Sequence, residues 1–378
     1  MSIKLGSFNV ENLFRRARIL NLQNEAQSAD LLGKVAGLQR LLDRRTYDDA
    51  TRSDIFAVSA QLLPYIDIRV DLGSLGNWKK GDGTTGFQVF KSCGGRSTWT
   101  GQITFKDEAF SDRQRLNTGR VIKEVGADVL CAIEVEGMDA LRNFNSQVLG
   151  GSYQEYLLID SPNDPRGIDV ACLSKYPILS LRTHVFDKGA DGRHTFSRDC
   201  LELALDVGNG QTLFVLCNHF KSQRGRSKEE QDQSALKRKA QATRVAQILA
   251  GYDLKRDWVV VMGDLNEDSS NSYKSLEPMF SAPDLHPIVD PAAPVTERYT
   301  HYYGGNKRGE RLSQLDYIFA SSALNSRFKA YGFERRGVFQ LGIEAEKEGA
   351  QQVTVFDTVT GSDVNASDHC ALWAEFDI

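Results

Sequence analysis

Short apolar, β-branched runs recur from end to end of the chain: IKLGSFNV, ADVLCAIEV, IDVACLS, CLELALDV, TLFVLCNHF, WVVVMGDL, LDYIFAS and HCALWAEF. Most are too short for helices and are bounded by Gly, Asp or Asn, so the pattern predicts strands. Several are apolar along their whole length instead of alternating, which predicts sheets buried on both faces. Helical periodicity lies between some of them. Residues 112–126 carry Leu116, Val121, Ile122 and Val125 ahead of Gly126, and residues 229–250 carry Leu236, Ala240, Val245, Ile248 and Leu249. Strands interleaved with helices predict an α/β protein, and doubly buried strands predict two packed sheets with helices outside them.

The stretch from about 15 to 115 has a different texture. ADLLGKVAGLQRLLDR and DIFAVSAQLL read as amphipathic helices, while YIDIRVDLG, FQVFKS and STWTGQITF read as strands of a small separate sheet. We read the chain as one domain over residues 1–378 with this stretch as an insertion. Its basic residues Arg15, Arg16, Arg18, Arg44, Arg45, Lys79 and Lys80 suit either one side of a binding cleft or a solvated face. The mixed, polar region from about 337 to 365 predicts a long loop or a hairpin.

Composition narrows the class without naming an activity. The 378 residues are 41% hydrophobic and 25% charged, as in an ordinary globular protein, and no run of about 18 apolar residues provides a membrane span. MSIKLGSFNVENLF lacks the basic and apolar regions of a secretory leader, so the expectation is a cytoplasmic protein without a membrane partner, although a cleaved leader would leave no trace. The formal charge of −4 removes any argument for a nucleic-acid partner from global charge. Cys93, Cys131, Cys172, Cys200, Cys217 and Cys370 form no C-x-x-C pair, and four of them lie in or beside apolar runs, as reduced core cysteines do.

The candidate chemistry sits where strands end. GDLNED follows WVVVM and places Asp264 and Asn266 two residues apart, just past a buried strand, where α/β folds collect ligands. A carboxylate and a carboxamide so placed orient a water and hold an anionic transition state, or else close an Asx turn for local backbone reasons. SDHCALW puts Asp368 and His369 at the head of another strand, NHF ends a strand with His219, and LDYIFAS opens with Asp316. IEVEG leaves Glu134 and Glu136 at a strand end, as FNVEN leaves Asn9, Glu11 and Asn12. Six such ends, with almost no serine-nucleophile signature among them, suit a hard divalent cation and a phosphate.

These residues carry a resemblance. FNVEN, IEVEG, NHFKS, GDLN, LDYIF and SDH occur in the order and near the spacings of the endonuclease/exonuclease/phosphatase superfamily, in its bacterial-type nuclease branch, over residues 3–14 and 116–376. The resemblance implies a four-layer αββα sandwich of the deoxyribonuclease I-like type with the active site at one edge of the sheets. It implies Glu134 as the principal metal carboxylate with Asn9 and Asp368 nearby, and Glu11 at a position that is acidic in some relatives and basic in others. Asp264 then resembles the residue that orients or deprotonates the attacking water, and Asn266 a phosphate-oxygen ligand. His369, held by Asp316, resembles the histidine at the scissile phosphate, and His219, with Asp169 to orient it, resembles the second histidine of nuclease-like branches. Arg198 and Lys221 resemble phosphate-contacting cations.

The implied activity is Mg²⁺-dependent phosphodiester hydrolysis, with Mn²⁺ or Ca²⁺ as alternatives, acting on nucleic acid and preferentially DNA to leave 5′-phosphate and 3′-hydroxyl ends. Hydrolysis of a phospholipid or inositol phosphate is the second expectation, and a non-catalytic binding protein on the same fold the third. The basic residues between Lys221 and Arg244, among them Arg224, Arg226, Lys228, Lys237, Arg238 and Lys239, tip the reading toward nucleic acid. His184, His194, His286 and His301 fall outside the motifs and read as surface or loop residues.

Overall fold

A computed structural model describes residues 2–13, 19, 25–81, 83–106, 113–164, 167–223, 227–303 and 312–378. Arg15, Arg16, Arg18, Arg224 and Arg226, counted above among the basic residues, lie outside the described residues. The chain divides into two compact units, one formed by Met1–Phe14 with Phe110–Ile378 and the other by Arg15–Ala109.

In chain order the elements begin with strand β1 (Ser2–Leu13), helices α1 (Glu25–Leu42) and α2 (Asp49–Leu62), and strands β2 (Ile66–Gly73), β3 (Gly76–Gly81), β4 (Thr84–Val89) and β5 (Trp99–Phe105). Next come α3 (Arg113–Val125), β6 (Val129–Val135), α4 (Met138–Gln147), β7 (Glu155–Leu158), β8 (Asp169–Ser174), β9 (Ile178–Arg182), β10 (Cys200–Asp206) and β11 (Thr212–His219). The remainder is α5 (Lys228–Leu249), β12 (Trp258–Asp264), α6 (Glu277–Phe280), β13 (Leu285–Pro287), α7 (Val295–Arg298), β14 (His301–Tyr302), β15 (Leu312–Ser313), β16 (Asp316–Ser321), α8 (Ser322–Asn325), β17 (Phe328–Glu334) and β18 (Ala371–Asp377).

Two six-stranded sheets dominate the larger unit, in the orders β17-β18-β1-β6-β8-β7 and β13-β16-β12-β11-β10-β9. Their doubly apolar strands follow from the period of two. In β6, Val129, Cys131 and Ile133 enter the core between the sheets while Leu130 and Ala132 face the outer core with α3 and α4. In β12, Val260 and Met262 point inward while Val259 and Val261 meet Ala242, Val245 and Leu249 of α5. Burying each such side chain contributes roughly 1.5–3 kcal/mol, so three stacked cores fix a helix–sheet–sheet–helix order. This is the αββα sandwich of the deoxyribonuclease I-like type.

Helix α5 shows how local chemistry sets an element. Ser227 Oγ accepts from the Glu230 amide at 3.2 Å while the Ser227 amide donates to Glu230 Oε2 at 3.4 Å, a reciprocal cap at the first turn. Its buried stripe runs through Ala235, Arg238, Ala242, Val245 and Leu249, whereas Leu236 is 61% exposed, so the stripe read from the sequence is displaced by one residue at its start. The parallel pairs β1–β6 and β11–β12 bring their carboxyl ends to common edges. The region from 337 to 365 holds short helical turns at Gln340–Glu344, Ala345–Glu348 and Ser362–Val364 in place of a hairpin, and Val338, Leu341 and Ala345 pack against Tyr299 and Tyr302.

The smaller unit has its own core, in which Leu38, Leu42, Ile55 and Leu62 of α1 and α2 join Ile66, Phe87 and Trp99. Its strands form two two-stranded sheets, β2-β5 and β3-β4. It closes at Ala109, short of the boundary near 115, and α3 contributes Val121, Ile122 and Val125 to the larger unit. Among the described residues no helix is long and apolar enough to cross a membrane, and all six cysteines are free and buried.

Candidate active site

Strand register assembles the site. His219 at the end of β11 pairs with Asp264 at the end of β12, and Asp264 pairs with Asp316 at the head of β16, so three strand ends present a row of His, Asp and Asp. The strand approach is close at Gly263, where an added Cβ would sit 1.9 Å from the Asn218 carbonyl oxygen and φ is +147°, which explains the glycine of GDLN. Facing this row, the other sheet supplies Asn9 and Glu11 from β1, Glu134 from β6, and Asp368 and His369 just before β18.

Backbone strain is concentrated here. Glu11, Glu134 and Asn266 adopt φ of +49°, +68° and +56°, a region that costs a non-glycine residue roughly 1 kcal/mol or more. For Glu11 and Glu134 the cause is a register shift in β1 between Asn9 and Leu13 and in β6 between Ile133 and Val135.

Asp264 is the hub. Its Oδ2 accepts from Asn9 Nδ2 and Asn266 Nδ2, each at 3.1 Å, and its Oδ1 accepts from the Asn266 amide at 2.9 Å. The Asn266 side chain also donates to the Phe220 carbonyl at 3.2 Å. His219 Nε2 lies 3.6 Å from Asp264 Oδ2 and 3.9 Å from Glu134 Oε1, and His369 Nε2 lies 4.0 Å from Asp264 Oδ2. Burial pushes the Asp264 carboxyl up to about 7; the nearby His369 charge pulls it down and Asp316 pushes it further up.

His369 is anchored from the opposite side, with Nδ1 at 2.7 Å from Asp316 Oδ2 and Asp316 fully buried. Burial alone disfavours an imidazolium, but the carboxylates of Asp316, Asp264 and Asp368 outweigh it and hold the ring well above the usual histidine range. The surrounding carboxylates thus favour the protonated ring.

His301 is a residue of this site that the sequence reading placed on the surface. It pairs with His369 in an isolated bridge, and the two rings lie against each other with centroids 4.9 Å apart and planes tilted by 51°. Burial and the His369 charge pull the His301 imidazole down to about 4, leaving it neutral. Its only sequence signal is its place in YTHYY, shortly before LDYIF. His184 is also buried, but in a separate network with Asp187 and Glu202.

The acidic side fits a divalent cation. Burial raises Glu11 to about 7, with the Asp368 and Glu134 charges adding to the rise, while Arg115 and His369 oppose it. Carboxylates crowded in this way are relieved by a hard cation with oxygen ligands, which Glu134, Glu11 and Asp368 could hold. Among the described residues two groups have ligand atoms within 4.8 Å of one another: His301, Asp368 and His369, and Asp264, Asp316 and His369. Asn9 is largely a linker, because its Nδ2 serves Asp264 and its Oδ1 accepts from the Glu11 amide at 3.0 Å.

The expected substrate-binding residues stand differently. Asp169 pairs with Val135, next to Glu134, and its Oδ1 accepts from the Ser161 amide at 2.9 Å; burial lifts its carboxyl to about 6. Arg198 is buried in an ion pair with Asp164, Nε to Oδ2 at 2.6 Å, so its charge is already neutralised and it offers a phosphate less than the resemblance implies. Lys221 is fixed through its backbone, its amide donating to Gln241 Oε1 at 2.8 Å and its carbonyl accepting from Arg238 Nη1 at 3.1 Å. The cations of α5 are mostly engaged within the protein: Arg238 with Glu267 at 3.0 Å, Arg244 with Asp187 at 2.7 Å, and Lys228 with Asp232 and Tyr273.

Solved structures of low sequence identity share similarity with this chain. A TDP2 from D. rerio complexed with a single-strand DNA product is 15% identical, with 70% of this chain and 92% of that chain covered and a TM-score of 0.47. The human Nocturnin catalytic domain with bound sulfate is 13% identical, with coverages of 71% and 87% and a TM-score of 0.47. An endonuclease/exonuclease/phosphatase family protein from Bacteroides thetaiotaomicron is 14% identical, with coverages of 100% and 99% and a TM-score of 0.46. No curated protein matches the chain in sequence. Residues 101–369 match the profile of the Endonuclease/Exonuclease/phosphatase family, more than half of the chain, and the protein belongs to that family of divalent-metal-dependent enzymes.

Proposed function

We propose that the protein is a divalent-metal-dependent phosphodiesterase that hydrolyses nucleic acid, preferentially DNA with Mg²⁺, leaving 5′-phosphate and 3′-hydroxyl ends. The observation that carries this reading is the opposition of two groups at one sheet edge: His219, Asp264, Asn266 and the Asp316–His369 pair on one side, and Glu134, Glu11 and Asp368 on the other. A phosphodiester resists attack because its oxygens repel a nucleophile, so a site that hydrolyses it must supply positive charge and hold a water in line.

The chain's own residues divide that work. Asp264, fixed by three donated hydrogen bonds, orients the water and takes its proton as the water oxygen bonds to phosphorus. Cationic His369 faces the phosphate and protonates the oxygen that leaves as the P–O3′ bond breaks, with Asp316 holding the ring by Nδ1. His219 donates to the phosphoryl oxygens, while Asn266, whose Nδ2 is spent on Asp264 and the Phe220 carbonyl, holds the Asp264 carboxylate in place. A bound divalent cation adds Lewis-acid stabilisation of the charge that develops on phosphorus-bound oxygens.

The test is incubation of the full chain with plasmid, single-stranded DNA, RNA and sphingomyelin, each with Mg²⁺ or with EDTA. Mg²⁺-dependent cleavage of DNA in preference to sphingomyelin supports the reading. Preference for the lipid, or turnover that survives EDTA, overturns it.

A further inference from the structure

A short strap that none of the site motifs contains crosses the two sheets beneath the site. It runs from Arg298 to His301, and its central residue, Thr300, is fully buried. Thr300 Oγ1 accepts from the Leu315 amide at 2.9 Å and from the Asp316 amide at 3.2 Å. The Thr300 carbonyl accepts from the Cys370 amide at 2.9 Å, and the Thr300 amide donates to the Ser313 carbonyl at 2.9 Å. Leu315 passes the restraint on, because its carbonyl accepts from the Leu265 amide at 2.8 Å, between Asp264 and Asn266.

The direct partners of this one threonine thus include Asp316 and the residue that follows His369, and Leu315 carries the restraint on to the residue that follows Asp264. Asp316 and His369 belong to strands of different sheets, yet their contact must hold a 2.7 Å distance for the ring to stay oriented. The strap is itself anchored. Arg298 makes a bidentate pair with Asp268, at 2.7 and 2.9 Å, and Asp268 Oδ2 accepts from the Gln314 amide at 2.8 Å. Arg335 donates to the Tyr299 carbonyl through Nε at 3.2 Å and Nη2 at 2.9 Å. A buried hydroxyl that accepts two backbone amides is not needed to fill space, since valine has the same shape. What it adds is the direction of the Asp316 backbone.

We propose that Thr300 is a positioning residue for phosphodiester hydrolysis, acting through the Asp316–His369 pair by fixing Asp316 with its side-chain oxygen and the His369 segment with its carbonyl. This rests on the reading of the site as a phosphodiesterase. A displacement of about 1 Å in such a pair costs on the order of 10²-fold in rate.

The experiment measures kcat and KM of the full chain on a chromogenic small phosphodiester with Mg²⁺, for Thr300→Val and Thr300→Ser, each alone and in a His369→Ala background. Thr300→Val is expected to lower kcat by about 10- to 100-fold with KM nearly unchanged, and Thr300→Ser, which keeps the acceptor, to recover most of it. In the His369→Ala background Thr300→Val is expected to cost less than about twofold, because the residue it positions is gone. Equal losses in both backgrounds would mean a general packing role and overturn the proposal, as would a serine variant as slow as the valine one. Should the valine variant not fold, Thr300→Cys takes its place, sulfur being a weak acceptor. If the wild type turns over no phosphodiester, the functional reading has failed by itself. The imidazole Nδ1–H proton resonance of His369 then decides the positioning role: a shift in the valine variant that serine restores supports it, and an unmoved resonance overturns it.

Discussion

Replacing Asp316 by Asn should have opposite effects on stability depending on whether His369 is present. Both side chains are almost wholly buried, at 0% and 5% exposure, so their 2.7 Å contact acts in a poorly solvated environment. His369→Ala leaves the Asp316 carboxylate without its cation, and Asp316 Oδ1 has no hydrogen-bond partner among the described residues. Stranding a buried charge costs about 3–5 kcal/mol. Asp316→Asn in that background removes the stranded charge and should return about 1–3 kcal/mol, the desolvation cost of an unsatisfied buried group. In the wild-type background the same change breaks the pair and should destabilise. Activity should behave as a unit: either single change is expected to lose on the order of 10²-fold or more, and the double variant to be little slower than His369→Ala. Urea unfolding of the four proteins, with turnover of a small diester, measures both. If Asp316→Asn destabilises both backgrounds by the same amount, or if the activity losses add, the two residues do not form a charged pair and the reasoning fails.

Other outcomes follow from particular contacts. Glu134→Gln should abolish most activity with the melting temperature nearly unchanged, and excess Mg²⁺ should restore only part of it; full rescue or no loss would remove Glu134 as the main metal carboxylate. His184 has Nδ1 at 2.9 Å from Asp187 and Nε2 at 2.8 Å from Glu202, which only a protonated ring satisfies on both sides; burial opposes the charge, but the two carboxylates raise the pKa above its usual value. Its stabilisation should therefore be full below about pH 6.5 and fade as pH rises through the higher folded value, a decline in urea midpoint that His184→Gln should flatten. Gly263→Ala should prevent folding or strongly destabilise, because the new methyl would meet the Asn218 carbonyl; a stable, active variant would show that β11 and β12 are not so closely apposed.

Much of the fold was legible because the central strands are apolar on both faces, and a doubly buried strand leaves no polar residue until it reaches an edge. For the same reason the polar residue just past each strand, such as Asp264 after WVVVM, marked the site. Edge strands were harder. β9 alternates through Leu179, Ser180, Leu181 and Arg182, but its leucines are exposed, so the alternation marks no buried face, and β13 is three residues long. His301 went unread because its place comes from a tertiary ring contact with His369, on a two-residue strand whose partner is as short. Arg198 and the α5 cations were read as cations for a phosphate partner because nothing local announces that Asp164, Glu267 and Asp187 pair with three of them. The basic composition of that helix therefore supports a polyanion groove less than its sequence suggests.

We propose that this sheet edge hydrolyses phosphodiesters of nucleic acid with a divalent cation. The most direct measurement is end-group analysis of an end-labelled DNA oligonucleotide after incubation with the wild type and Glu134→Gln, in Mg²⁺ and in EDTA. The account predicts fragments with 5′-phosphate and 3′-hydroxyl ends from the wild type in Mg²⁺ alone, and little product from the variant. Intact DNA with the wild type in Mg²⁺, cleavage that persists in EDTA, or fragments ending in 3′-phosphate would contradict it.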